Sequence, residues 1–132
     1  MEQEPNYTVF EIGSLRNVKR VMLKDSMKLT GAEISANCIP AGKSTPFVHS
    51  HKRNEEIYLF TGGKGLFWLD GTILEVREGT AVKVAPAGQR CLKADVSEDL
   101  CYFCIQVEAN SLVQATREDG VHVDIKPTWE RS

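Results

Sequence analysis

An all-β barrel or sandwich is the fold class predicted for this 132-residue chain, on three observations. Short runs rich in β-branched and aromatic residues recur at regular spacing, turn dipeptides separate them, and amphipathic helical periodicity is almost absent. A chain of this length buries roughly two-thirds of its unfolded surface in one core. Residues 1–132 are therefore expected to form a single domain, with a short flexible N-terminus over 1–6.

The elements follow in order. Residues 7–12 read as a first strand, and 18–23 fit either a strand or a short helix. Over 31–39, Ala32, Ile34, Ala36 and Cys38 alternate with Glu33, Ser35 and Asn37, which predicts a half-buried strand. Residues 56–60 form a strong strand signal, 62–65 a glycine-rich turn, and 66–69 and 72–76 the arms of a hairpin around Asp70-Gly71. Glu78-Gly79 turns the chain again. Strands at 81–85 and 91–94 flank Pro86-Ala87-Gly88, and 100–107 follows the acidic loop Ser97-Glu98-Asp99. No internal repeat, low-complexity tract or linker interrupts this pattern.

Composition excludes several function classes. The net charge is -2, with 16 basic residues scattered among 18 acidic ones, which argues against nucleic acid or an anionic membrane as partner. A small-molecule ligand is expected instead. No run approaches the apolar length of a membrane span, and Met1-Glu2-Gln3-Glu4-Pro5 lacks an apolar signal region, so a cytoplasmic location is expected. The four cysteines agree with that setting. Cys101 and Cys104, three apart on a strand, point to opposite faces and cannot share a metal, and with Cys38 they read as reduced, buried thiols.

The chemistry lies between Pro46 and Tyr58. His49 and His51 sit one residue apart on an extended segment, so both rings project from one face and can meet one metal ion. After the polar turn Lys52-Arg53-Asn54 come Glu55 and Glu56, one of which must point the same way. Two imidazoles and a carboxylate are the donors of a facial triad that leaves open positions on a first-row metal.

Around this group a longer pattern is present. Gly42, His49-x-His51, four residues, Glu56, six residues and Gly63 resemble the first motif of the cupin superfamily, with Gly42 one residue farther from His49 than usual. Gly79, Pro86-Ala87-Gly88, two residues and Cys91 are similar to the second motif, with one extra residue before Pro86 and cysteine in place of the last histidine. The two motifs span about 42–95. The resemblance is to a small single-domain cupin of the conserved β-barrel type, and it implies a double-stranded β-helix, or jelly roll. It also implies one divalent transition metal (iron, manganese, zinc or nickel) in the barrel mouth, and a homodimer.

The resemblance bears on individual residues. Glu56 keeps the family spacing to His51 and aligns Gly63-Lys64-Gly65 with the family's turn, whereas Glu55 meets only the shorter permitted spacing to Gly62. With Glu56 as ligand, Tyr58 and Phe60 share the lumen face. Cys91 is a candidate fourth position or a pocket-wall thiol, since a sulfur one bond beyond Cβ falls short of a metal that an imidazole would reach. Gln89 and Lys93 flank it at strand spacing and are candidate substrate-pocket residues.

Other features are read as plain surface. Thr61-Gly62-Gly63-Lys64-Gly65 is a turn, because the full phosphate-loop pattern and its helix are missing. His122 is solvent-facing, and Lys43, Lys52 and Arg53 are solvated. Two function classes follow: a metal-dependent enzyme of dioxygenase or sugar-isomerase type, or a non-catalytic module that binds or senses a small metabolite.

Overall fold

Asp70 and Gly71 both have positive φ, 49° and 91°, as a two-residue hairpin turn that follows the right-handed twist of its strands requires. The turn joins β4 (Lys64–Leu69) to β5 (Thr72–Arg77), with Leu69 opposite Thr72. The computed structural model describes residues 5–129 and adds β1 (Arg20–Met22), β2 (Glu33–Ile39), β3 (Asn54–Gly62), β6 (Ala81–Val84), β7 (Arg90–Ala94) and β8 (Leu100–Glu108). A four-residue helix, α1 (Lys24–Met27), follows β1, and short 3₁₀ turns occupy Leu15–Asn17 and Arg117–Asp119. No helix among the described residues is long and apolar enough to cross a membrane.

Every strand pairing is antiparallel. One sheet has the order β1-β2-β8-β3-β6 and the other β5-β4-β7. Their inner faces share one core, in which Tyr58, Phe60 and Tyr102 from the larger sheet meet Phe67, Val76 and Leu92 from the smaller one. Phe67 is fully buried, with the Tyr58 ring packed edge-on at 4.8 Å between centroids. Gly63 turns the chain from β3 into β4 with φ of 76°. A Cβ there would also run into the carbonyl oxygen of Asp99. The Thr61 to Gly65 stretch is thus a tight strand connection, as expected from its glycines.

Two local expectations are corrected and one left open is resolved. Residues 7–12 form no strand: Tyr7 and Val9 are 73% and 72% exposed, and no sheet edge pairs with them among the described residues. Strand propensity without a partner ladder leaves backbone groups to water. The ambiguous stretch 18–23 resolves into β1, with α1 beginning just after it. The strand over 31–39 is present as β2, but from Ser35 to Ile39 it is buried on both faces rather than half-buried.

The reason sets up the site. Ser35 and Asn37 pair with Cys104 and Tyr102 of β8, and these side chains face the interior. Ala36 and Cys38 face the other way, where the Leu15–Asn17 turn packs against β2. The polar set of β2 therefore lines the inside. Cys38 sits opposite Cys101, also buried, with the two sulfurs 2.7 Å apart, while Cys104 lies on the inner face. The opposite orientations expected for Cys101 and Cys104 are observed.

Candidate metal centre

The segment 43–51 lies alongside β7 and extends the smaller sheet. Ala94 N donates to Lys43 O, Thr45 N to Leu92 O, and His49 and Arg90 exchange a pair of backbone hydrogen bonds at 3.2 and 3.0 Å. His51 N donates to Pro86 O at 2.8 Å. These bonds hold the histidine segment extended, which is the condition for both rings to share a face. The rings stand 5.2 Å apart between centroids, nearly perpendicular at 86°.

Glu56 meets them from β3. Its Oε2 lies 3.2 Å from His51 Nε2, and its Oε1 lies 3.7 Å from His49 Nε2. One donor atom from each of the three residues lies within 4.8 Å of the others. His51 Nε2 is buried and makes no hydrogen bond. An orphaned imidazole nitrogen facing a carboxylate and a second imidazole is a donor set that suits a divalent first-row metal. Glu55 is on the opposite face of β3 from Glu56, so the structure brings Glu56 to the histidines, as the motif spacing expected.

The electrostatics keep Glu56 and His49 in their ligating forms. Burial works against the charge on Glu56, which is 5% exposed. Hydrogen bonds from the Tyr58 hydroxyl, at 2.7 Å, and from the Cys104 thiol, with His51 and Arg90 nearby, outweigh it and hold the carboxyl below its usual range. Burial, with help from Arg90 and His51, lowers His49 against the pull of Glu56, favouring the neutral imidazole. Burial, then Cys104 and Glu56, push the Tyr58 phenol far above its ordinary value, so it remains a donor. Burial, then Glu56, push Cys104 up to about 12, so it is a thiol.

A cavity of about 350 Å³ opens onto the three residues, within the range of small-molecule sites. Its walls include Ser35, Asn37, Gln106, Leu92 and Tyr102. Asn37 Nδ2 bonds Ser35 Oγ at 2.9 Å and Asn54 Nδ2 bonds Gln106 Oε1 at 2.6 Å, so the polar wall is internally braced. Tyr58 lines the cavity as expected. Phe60 does not: it packs beneath, against Phe67 and Tyr102.

β7 departs further from expectation. Arg90, Leu92 and Ala94 point inward, which turns Gln89, Cys91 and Lys93 outward. Gln89 and Lys93 are exposed and do not line the cavity. Cys91 pairs across the sheet with Trp68 and its sulfur contacts Thr45 Oγ1 at 3.1 Å. It edges the cavity as a wall residue and lies outside the cluster of donors that could hold a metal.

Arg90 is the buried cavity residue that motif reasoning missed. Its register with His49 sends both side chains to the same face, and its guanidinium lies in the interior at 1% exposure. Nη2 donates to Ala85 O at 3.1 Å and Nη1 is 3.7 Å from Glu56 Oε1, while Nε and Nη1 make no hydrogen bond. Leaving such donors unpaired costs about 1–3 kcal/mol each. The available signal was alternation along 90–94, where Arg90 shares parity with Leu92 and Ala94.

Comparison with known proteins places this architecture. A cupin protein from Bacteroides fragilis is 43% identical, with a TM-score of 0.86 over 91% of this chain and 99% of that one. The chain is a cupin. A Cupin 2 conserved barrel domain protein from Salinispora arenicola (18% identity, TM-score 0.61, 83% of this chain and 90% of that one) and the cupin domain of Schizosaccharomyces pombe Cnp3 (17%, 0.62, 74% and 74%) share the fold. No protein-family model and no curated protein matches the sequence. In this cupin the inward position nearest the second motif's last residue is held by an arginine, and the cysteine beside it is turned to the wall.

Proposed function

We propose that this cupin holds one divalent transition metal through His49, His51 and Glu56, and acts with it on a small molecule in the adjoining cavity, as an enzyme of dioxygenase or isomerase type. The observation that carries this reading is the buried, unbonded Nε2 of His51, set among His49 and Glu56 at the cavity floor. A polar atom buried without a hydrogen bond calls for an explanation, and a metal shared with Glu56 and His49 supplies one.

When bound, such a metal supplies Lewis acidity or a redox centre with open positions for substrate. The chain's own residues do the rest. His49 and His51 present lone pairs, Tyr58 holds one carboxylate oxygen of Glu56 so that the other faces His51, and Leu92 and Tyr102 exclude water from part of the cavity. Open coordination beside a shaped cavity favours turnover over mere storage of a ligand. A homodimer is part of the same proposal, supported by Val121, Val123, Ile125 and Trp129, all exposed in a segment with no strand partner among the described residues.

The deciding measurement is metal analysis of protein purified without an affinity tag, with a metal-stripped control. About one transition metal per chain is expected, regained on titration of the stripped protein. Iron would direct the search to oxygen consumption, and manganese, nickel or zinc to isomerisation. Failure to take up iron(II), manganese(II), zinc(II) or cobalt(II) overturns the proposal.

A further inference from the structure

We infer that Arg90 is the binding residue for a carboxylate on the small molecule this cavity takes, which makes the ligand class a small organic acid. The inference rests on the reading of the cavity as a ligand site, but on a residue that is not a metal ligand.

Arg90 is the largest of the fully buried side chains, and only its Nη2 is hydrogen-bonded. Glu56 does not complete it. The 3.7 Å separation from Nη1 exceeds a hydrogen bond, and the Oε1 concerned already accepts from Tyr58. Arg90 lines the cavity, its Nε and Nη1 are buried without a hydrogen-bond acceptor, and a guanidinium is matched by the paired oxygens of a carboxylate. Its position beside the three candidate metal ligands lets one carboxylate lie between Arg90 and the open side of the centre.

The surroundings favour a carboxylate over a phosphate. A dianion wants several cations or a nest of free backbone N–H groups. Here the backbone N–H groups of His49, His51, Arg90 and Leu92 are all committed, and Glu56 adds a negative charge nearby. Arg20, the other lining cation, is exposed, and Glu33 lines the same cavity. The volume of about 350 Å³ suits a ligand of modest size.

The test compares lactate with lactamide, which differ at the carboxylate, on stripped and cobalt(II)-loaded protein. Binding to stripped protein is read from the Arg90 Nε–H resonance, and to loaded protein from the cobalt visible spectrum. Lactate is expected to saturate both signals, with lactamide at least roughly tenfold weaker. Arg90→Gln should weaken lactate roughly 10- to 100-fold and erase its advantage over lactamide, and Arg90→Lys should restore only part of it. Circular dichroism checks that the variants fold, and the lactate and lactamide comparison on the unmodified protein stands without them. Equal binding of the two ligands, binding of neither, lactate binding indifferent to Arg90→Gln, or tighter binding of inorganic phosphate overturns the inference. Loss of cobalt binding with the lactate preference intact in stripped protein would sink the metal proposal and support the role of Arg90.

Discussion

Tyr58 donates its hydroxyl hydrogen to Glu56 Oε1 at 2.7 Å from two residues along the same strand. Both side chains leave β3 on its inner face, so the phenol fixes the rotation of the carboxylate and leaves Oε2 directed to His51. A ligand held by such a partner is pre-positioned for its metal.

Tyr58→Phe should therefore lower metal affinity about 10- to 100-fold while leaving the ligand set intact. The loss of a buried hydrogen bond should cost about 0.5–1.5 kcal/mol of stability in stripped protein. Competition against a chelating dye measures the first effect and urea unfolding the second. Unchanged affinity would mean that Tyr58 serves packing alone.

His49→Ala, His51→Ala and Glu56→Ala should each abolish most metal binding without unfolding the chain, because the core of Phe67, Leu92, Leu100 and their neighbours does not depend on them. Glu55→Ala is the control and should bind as the unmodified protein does. Calorimetric titration with cobalt(II) separates the two carboxylates. A loss confined to Glu55→Ala would reverse the assignment.

Cys91→Ala should leave metal affinity within about twofold, since the sulfur contacts Thr45 and lies outside the donor cluster. Cys91→His should add no ligand, because the side chain at this position leaves β7 on the face opposite Arg90 and reaches only the cavity edge, against Thr45. The cobalt(II) form should lack a sulfur charge-transfer band. An intense near-ultraviolet band that disappears in Cys91→Ala would make Cys91 the fourth ligand.

Gly63→Ala should destabilise the fold by more than about 1–2 kcal/mol, since it combines a left-handed backbone with a collision against Asp99. Gly71→Ala, with similar φ but open space around it, should cost only about 1 kcal/mol. Urea midpoints of the two variants provide the comparison. Equal losses would show that the close approach of Asp99 relaxes freely.

Local pattern alone determined a good deal of this protein. The Asp70-Gly71 hairpin, the strands on either side of Pro86, the shared face of His49 and His51, and the inward set of Glu56, Tyr58 and Phe60 all depend on period-two alternation and turn chemistry, which act over a few residues. Tertiary structure decided the rest. Alternation divides β2 into two faces without saying which is inside, and here the pairing with β8 turns the polar Ser35 and Asn37 into the cavity, while a surface turn covers Ala36 and Cys38. The same ambiguity hid Arg90: a charged residue beside a motif cysteine reads as surface until its pairing with His49 turns it into the barrel. Residues 7–12 have strand propensity but no strand, because a ladder needs a partner that no run of residues can supply for itself.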